Sequence, residues 1–596
     1  MSTFSKKLFL KFLKWRYHHI SNKQFTNIAS AIIGLLAGLA AVVLKNLTHF
    51  IQKLLEGGFI KQIHQAFYFI FPILGFLIVL LLIKYVVRKK VGHGIPSTLY
   101  AISKLKGIMP KHQMWASLIT APLTVGFGGS VGLEGPTVAT GAAIGSNFAR
   151  FFHLNQTTRT LLIGAAAAGA MSSIFKAPIA AIVFAVEIFS LELTLASMIP
   201  LLLASITAVL TSYFFFGDDV LLHFIIQDKF ELNDVLFYVL LGIACSTASI
   251  YFSKMYFAIS NFFKKFENPY VRLLIGGLSL GVIVYFIPTL FGEGYETINN
   301  ILRGNMGSVI QNNIYQILTD NTYFIILFLI CLITFKVIAT SLTFGAGGIG
   351  GIFAPTLFTG SVTGYVFAMI VNASKMFSHQ LSLTNFAMVG MAGLMAGILQ
   401  APLTAIFLIA EITGGYELFV PLMIVALISF VITQKFVPYN IYASELAKKG
   451  QLITHDKDKN VLMMLDLDKL IEKDFVLLHP EMTLGDVVNN AIAKSSRNHF
   501  PVVNEENDYL GILTINDIRS IMFNKDLYDT VKVESLMHAG SDIIYYEKDS
   551  AEEILNKFKR CGAWNLVVFK EGKYHGFISK SRLLTAYRRK LIDVTS

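Results

Sequence analysis

Gly128-Gly129-Ser130-Val131-Gly132-Leu133-Glu134-Gly135-Pro136 decides how the rest of this chain is read. The segment places one carboxylate among glycines inside a strongly apolar sequence. An ionisable group at membrane depth costs several kcal/mol unless it has a partner or a task. Glycines on either side leave backbone N–H groups open to a ligand, with no Cβ in the way. The pattern returns without the acid as Gly347-Gly348-Ile349-Gly350-Gly351-Ile352-Phe353-Ala354-Pro355. A membrane anion site is the first expectation.

Composition supports that setting. The 596 residues are 54% hydrophobic and 15% charged, and the mean hydropathy is +0.59, as in a polytopic membrane protein. Apolar runs of about 20 residues recur from Ala29 to Val437, long enough to span hydrocarbon. The first run is followed by further spans and has no small-residue cleavage site, so a cleavable signal is not expected. Cys245, Cys331 and Cys561 are scattered, which implies neither a disulfide framework nor a metal site. Nothing in the pattern suggests an enzyme.

The formal charge of +12 is unevenly placed: residues 451–596 are net −2 and residues 1–450 net +14. Lys6, Lys7, Lys11, Lys14, Arg16 and Lys23 precede the first span, and no acid occurs before Glu56. The positive-inside rule puts the N-terminus in the cytoplasm. Spans over 28–52 and 67–87 would return Arg88-Lys89-Lys90 to the same side. Basic residues that flank membrane spans do not form a nucleic-acid face, so no nucleic-acid partner is expected.

A duplication organises the membrane part. At an offset of 219, Gly128, Gly132, Pro136, Thr140, Gly141 and Gly145 match Gly347, Gly351, Pro355, Thr359, Gly360 and Gly364. At 224, Ala168, Gly169, Ala177, Pro178 and Glu187 match Ala392, Gly393, Ala401, Pro402 and Glu411. Short, Gly-interrupted helices at matching places in two halves point to a midplane transport site. The expected division is a cytoplasmic segment 1–27, a membrane domain 28–450 with halves at about 28–217 and 232–440, a linker 451–473 and a soluble α/β module 474–596. That module is itself doubled, Gly511-Ile512-Leu513-Thr514 being echoed by Gly576-Phe577-Ile578-Ser579.

Two motifs offer other readings. Thr124-Val125-Gly126-Phe127-Gly128 has the letters of a potassium-channel filter, whose carbonyls replace an ion's hydration shell. Pro122 interrupts the pore helix such a filter needs, so a potassium channel using Thr124–Gly128 is kept only as a remote alternative. Gly128-Gly129-Ser130-Val131-Gly132 fits G-x-S-x-G but lacks the strand and the partnered His of a nucleophile elbow.

Four signatures in order, Gly92-His93-Gly94-Ile95-Pro96, Gly132-Leu133-Glu134-Gly135-Pro136, Gly351-Ile352-Phe353-Ala354-Pro355 and Tyr442, resemble the CLC chloride channel and transporter family. The C-terminal module looks like a tandem CBS pair. The resemblance covers nearly the whole chain. It implies an all-α polytopic membrane domain of two inverted-topology repeats followed by a small α/β CBS module. It also implies a homodimer in the lipid of the cell membrane, with the CBS domains cytoplasmic, no required cofactor, and voltage gating as a family trait.

The resemblance also implies roles. Glu134 would be the gating carboxylate that competes with the permeating anion, its bland alternative being a helix cap. His93, Gly94, Ile95, Gly132, Gly135, Ile352, Phe353, Ala354 and Tyr442 would surround the anion. Glycine-rich segments before apolar helices offer free N–H groups and a positive dipole end, which agrees. Close helix packing is the other reason for such glycines.

Departures from the family pattern carry the mechanism. His93 stands where relatives have Ser, and Leu133 where they have Lys or Arg. Lys176 replaces a common Asn, and pairing with Glu187 or Glu192 is its expected use. Ile188 falls at the inner proton-transfer glutamate of coupled members and cannot relay a proton. Glu187 is adjacent but points about 100° away on a helix, so it is a weak proton-path candidate and a stronger cap. The expectation is therefore passive, channel-like conduction of chloride or another small anion, with a proton-coupled chloride antiporter as the alternative. In the CBS pair, Thr514 and Asp517 resemble an adenine-nucleotide T-x-x-D site, while Arg582 removes the matching acid from the second repeat.

Overall fold

The computed structural model describes residues 11, 13–56, 64–92, 94–192, 194–217, 222, 230–311, 321–375, 380–413, 416–444, 462 and 465–595. The chain divides into two compact units, Met1–Leu452 and Ile453–Ser596.

The first unit is helical. Its first half comprises α1 (Asn22–Glu56), α2 (His64–Leu81), α3 (Ile95–Lys104), α4 (Ala116–Gly126), α5 (Glu134–Phe151), α6 (Gln156–Phe175), α7 (Pro178–Phe189) and α8 (Leu195–Phe216). The second half comprises α9 (Val235–Lys264), α10 (Pro269–Phe286), α11 (Tyr295–Leu302), α12 (Met306–Gln311), α13 (Thr322–Gly345), α14 (Phe353–Ser374), α15 (Leu383–Leu399), α16 (Pro402–Ile412) and α17 (Phe419–Phe436). Among the described residues, nine helices are long and apolar enough to cross a membrane. The apolar helices α4, α7, α15 and α16 are shorter. Helix α1 begins before the hydrophobic run because Ser21 and Gln24 exchange backbone and side-chain hydrogen bonds as a capping box.

Sequence duplication becomes structural symmetry. Helix α5 packs on α6 and α14 on α15, through the same small residues. A Cβ on Gly141 would stand 2.6 Å from the Ala166 carbonyl oxygen, and one on Gly360 2.6 Å from that of Gly390. Backbones this close exclude any larger side chain. Helix α6 ends at Lys176 (φ 54°) and α15 at Gln400 (φ 52°), both left-handed caps. Helices α7 and α16 then start on Pro178 and Pro402, whose missing N–H groups would have been orphans in any case.

Their next N–H groups are satisfied across the two halves. Glu411 accepts from Ile179 N at 3.2 Å and Ala180 N at 2.9 Å. Glu187 accepts from Leu403 N at 3.2 Å, Thr404 N at 2.8 Å and Thr404 Oγ1 at 2.6 Å. Each acid caps the other half's helix and meets its positive dipole end.

The second unit holds two small sheets. Strands β1 (His499–Val503) and β2 (Tyr509–Thr514) pair antiparallel, with Phe500 opposite Leu513. Strand β3 (Ile543–Tyr545) lies parallel to β4 (Asn565–Lys570), which pairs antiparallel with β5 (Lys573–Ser579). The repeats complete each other: Glu472 bridges to Phe577 of the second, and His538 to Ile512 of the first. Leu470 and Ile471 are buried in the second repeat's core, so the stretch before 474 is packed structure rather than linker.

Replacing Glu187 by Ala leaves the first turn of α16 without its acceptor and should cost about 1–2 kcal/mol, the usual worth of a cap. The heat-unfolding midpoint of the detergent-solubilised protein should fall, and Glu187→Gln, which keeps an acceptor oxygen, should recover most of it. A Glu187→Ala protein as stable as the wild type would remove the cap from the account.

Candidate anion pathway

Three helix N-termini converge at the middle of the first unit. Gly94, with φ 72°, precedes α3, and a Cβ there would lie 2.9 Å from the Gly135 carbonyl carbon and oxygen. A Cβ on Gly135 would in turn stand 3.0 Å from the Gly351 Cα. Gly132 N donates to Gly351 O at 2.9 Å and Gly351 N to Gly132 O at 2.7 Å. This reciprocal pair fixes the start of α5 against the start of α14. Two hydroxyls repeat the symmetry: Thr124 Oγ1 accepts from Ile349 N at 3.0 Å, and Thr343 Oγ1 from Ser130 N at 3.1 Å.

The orphan N–H groups of α3, α5 and α14 thus face one small region. Ile95, Gly132, Glu134, Gly135, Ile352, Phe353 and Ala354 are all buried there. His93 lies outside the described residues. Phe353 places its ring 5.3 Å from that of Phe175 and 6.4 Å from that of Phe184. With the ring held by apolar neighbours, its backbone remains the polar part at the helix start. Tyr442, within electrostatic reach of Glu134, buries its hydroxyl with no hydrogen-bond partner among the described residues.

Glu134 is the first residue of α5 and is 1% exposed. Its Oε1 accepts a short hydrogen bond from the Tyr295 hydroxyl at the start of α11. Its Oε2 is buried against Gly132, and the backbone N–H groups of Glu134 itself and of Ala354 act on the carboxylate. A Cβ on Gly132 would overlap that oxygen and sit 2.9 Å from the Ala354 Cβ. The carboxylate therefore fills the space that the three N-termini define. A carboxylate is a tethered anion, and where it lies a free anion of similar size can lie.

One side of this centre opens into a cavity of about 430 Å³. Its wall includes Lys45 and His49 from α1, Glu134, Glu293, Tyr295 and Arg303. Glu293 Oε1 accepts from Leu133 N at 3.0 Å. Behind it, Lys336 of α13 is fully buried and donates to Gly292 O at 3.0 Å.

Sequence reading missed Tyr295, Glu293 and Lys336. Tyr295 and Glu293 lie about 160 residues from Glu134 and carry no motif. Lys336 did have a signal, as the one charged residue in the helix Thr322–Gly345.

Other expectations find their places. Glu187 is committed to α16 and is turned away from the centre, whereas Ile188 follows Phe184 by one turn on the face that meets Phe353. Lys176 donates to Gly217 O at 2.5 Å and sits 4.6 Å over the Tyr213 ring. The potassium-filter reading is corrected. Thr124–Gly126 belong to α4, and the Thr124 and Val125 carbonyls are taken by Gly129 N at 2.8 Å and Gly128 N at 2.9 Å. Carbonyls directed along a helix and into the turn that ends it do not form the extended ring of ligands that such a filter needs. Ser130 has a buried hydroxyl with no hydrogen-bonded base among the described residues.

In the second unit Thr514 and Asp517 come together as a cap. Asp517 Oδ2 accepts from Thr514 N and from Thr514 Oγ1, both at 2.7 Å. At the equivalent place, Arg582 donates to Lys469 O at 3.0 Å and lies 3.8 Å from Glu472, which also pairs with Arg497 at 2.8 Å.

Comparison with known proteins agrees with this geometry. The H(+)/Cl(-) exchange transporter ClcA of Vibrio cholerae serotype O1 (strain M66-2) is 28% identical over 433 residues, 70% of this chain and 88% of that protein. A putative chloride channel protein, ClcB-like, of Ralstonia nicotianae is 29% identical over 371 residues, 61% of this chain and 81% of its own. Among solved structures, a eukaryotic CLC transporter superposes with a TM-score of 0.59 at 16% identity, covering 94% of this chain and 97% of its own. A slow cyanobacterial Cl−/H+ antiporter gives 0.58 at 23%, covering 72% and 98%. A CBS domain model matches residues 467–524, and the voltage gated chloride channel model matches 74–434, more than half of the chain. The chain belongs to the CLC family of voltage gated chloride channels and transporters, and it carries a CBS module.

Proposed function

We propose that the protein moves small anions, chloride first, across the cell membrane along the path that Glu134 closes. The observation that carries this reading is the position of the Glu134 carboxylate, buried at three converging helix N-termini and occupying the place of an anion. Protonation would neutralise it and weaken its hold on the N–H groups, so that chloride takes its place. Gly94, Ile95, Gly132, Gly135, Ile352, Phe353, Ala354 and Tyr442 form the surroundings of that ion in this reading, together with His93.

The mode of transport follows from the inner side. Ile188 offers no proton acceptor, and Glu187 is held by α16, so the reading is passive conduction. Relatives named as H(+)/Cl(-) exchange transporters favour a second reading, proton-coupled exchange by another inner route. A homodimer, with the N-terminus and CBS module in the cytoplasm, completes the proposal. Arg16 before α1, Lys23 in its first turn and Arg88-Lys89-Lys90 support that orientation. The 430 Å³ cavity then opens outward.

At the CBS module at most one adenine nucleotide binds, at Thr514 and Asp517, because the equivalent second place holds Arg582 and Glu472. Equilibrium dialysis of labelled ATP against the full-length protein should give one molecule per chain or none. Two would refute the assignment.

Protein reconstituted in liposomes under a KCl gradient should show a reversal potential at the chloride value that a pH gradient does not move. Chloride-driven uphill proton movement would replace passive conduction by exchange, and reversal at the potassium value would sink anion transport altogether. Glu134→Gln should abolish most pH dependence of the flux. Tyr295→Phe removes a partly buried, charge-assisted hydrogen bond worth about 1.5–3 kcal/mol from the closed gate. Chloride flux at neutral pH should rise roughly ten- to a hundredfold if that bond stabilises closure. An unchanged or lower flux would assign the tyrosine another part.

A further inference from the structure

The loop Gly292–Tyr295 grips the gate from two directions. Tyr295 donates to the Glu134 carboxylate, while Glu293 Oε1 accepts the N–H of Leu133, the residue immediately before it, at 3.0 Å. Both carboxylates line the same cavity. Lys336 approaches the loop from behind, with Nζ 3.0 Å from Gly292 O and 3.4 Å from where a Cβ on Gly294 would stand. Its ammonium also lies 4.9 Å over the Phe358 ring and is wholly buried. Leu133 leaves the position before the gating acid without a charge, and Lys336 supplies a cation from another helix.

Glu134 and Lys336 are buried and Glu293 is partly buried, and these two acids and one cation taken together leave one negative charge in excess if both acids ionise. Like charges that share a site resist joint ionisation, and their protons belong to the pair rather than to either residue. We propose that the outer gate is a carboxylate pair, Glu134 with Glu293, which shares one proton with the water of the outer cavity and uses buried Lys336 as its countercharge. With the proton on Glu134, that side chain is neutral and yields its place to the anion, while Glu293 carries the charge that Lys336 balances. When the proton returns to cavity water, Glu134 is a carboxylate again and recloses the path. Proton exchange at the gate then needs no inner relay, which suits a chain with isoleucine at position 188.

Among the described residues, the groups that face this pair are few. Lys45 and His49 reach the cavity from α1, and Glu296 and Arg303 from α11 and the residue that caps it. Tyr295 and Lys336 also act on Glu293, and Tyr442 acts on Glu134. His49 brings an imidazole to the same cavity wall, so His49→Gln belongs in the test.

The inference rests on Glu134 being the gate, and the experiment separates the two. Chloride current is measured across planar bilayers holding the full-length protein, with pH varied on one side at a time. Wild-type current should rise as the cavity side is acidified and respond little to the other side. Glu293→Gln keeps an acceptor for Leu133 N–H but removes the like charge, so Glu134 stays ionised to lower pH. The midpoint should move about one unit toward acid. Lys336→Met removes the countercharge and should move it the opposite way. Glu293→Asp and His49→Gln should leave it within a few tenths of a unit.

Opposite shifts cannot come from general loosening of the loop, which would move both variants alike. A wild-type midpoint in Glu293→Gln, or shifts of one sign in both variants, would overturn the pair. If Lys336→Met does not fold, the Glu293 variants decide alone. A Glu134→Gln protein with wild-type pH dependence would instead remove Glu134 as the gate.

Discussion

Two backbone hydrogen bonds between Gly132 and Gly351 hold the centre of the membrane unit together. They tie the loops that begin α5 and α14 at distances of 2.9 and 2.7 Å. Each bond contributes only about 1 kcal/mol net, but in a membrane interior an unpaired N–H or C=O would cost several times more. The geometry they impose matters beyond that energy. With both loops paired, the N–H groups of the next residues cannot pair with each other and remain directed at a common point. Gly94, Gly135 and Gly351 stand in line because no Cβ fits between them. The anion pathway is thus a consequence of how two glycine loops satisfy their own backbone.

Each half completes the other in the same way elsewhere. Glu187 and Glu411 cap helices across the pseudo-twofold, and Thr124 and Thr343 receive N–H groups from the opposite loop. Neither half alone would satisfy these buried polar groups. The same exchange occurs in the CBS unit, where Glu472 and His538 each pair with the other repeat's sheet. Duplication in this chain means two incomplete units that become complete together. The arrangement also separates acids by task, since Glu187 is spent on capping while Glu134 lies buried at the converging helix starts.

Much of the fold was legible because its signals are local or repeated. Apolar runs, Gly-Pro punctuation and the 219-residue offset placed the halves, and the glycine segments marked the helix starts around Glu134. Glu187 as a cap was readable from its match with Glu411. The filter-like run at Thr124–Gly128 misled by its letters, because motif spelling does not say whether carbonyls are already taken. Residues 467–473 looked like linker because a strand-edge segment completing a distant sheet has no periodicity of its own. Tyr295 and Glu293 lay beyond reach for a related reason, and the partners of Lys336 did too although its charge stood out: each acts on Glu134 or its neighbours only through chain reversal.

By itself the sequence determined a duplicated, helical membrane domain with a carboxylate among glycines, since hydropathy, helix breakers and internal repetition are properties of neighbouring residues. Tertiary structure alone decided what that carboxylate meets. A tyrosine hydroxyl, a second acid and a buried lysine come to it from two other helices and a loop, and the charge balance of the gate depends on their distances in space. In a medium of low dielectric those distances set which group is charged, and no spacing along the chain encodes them.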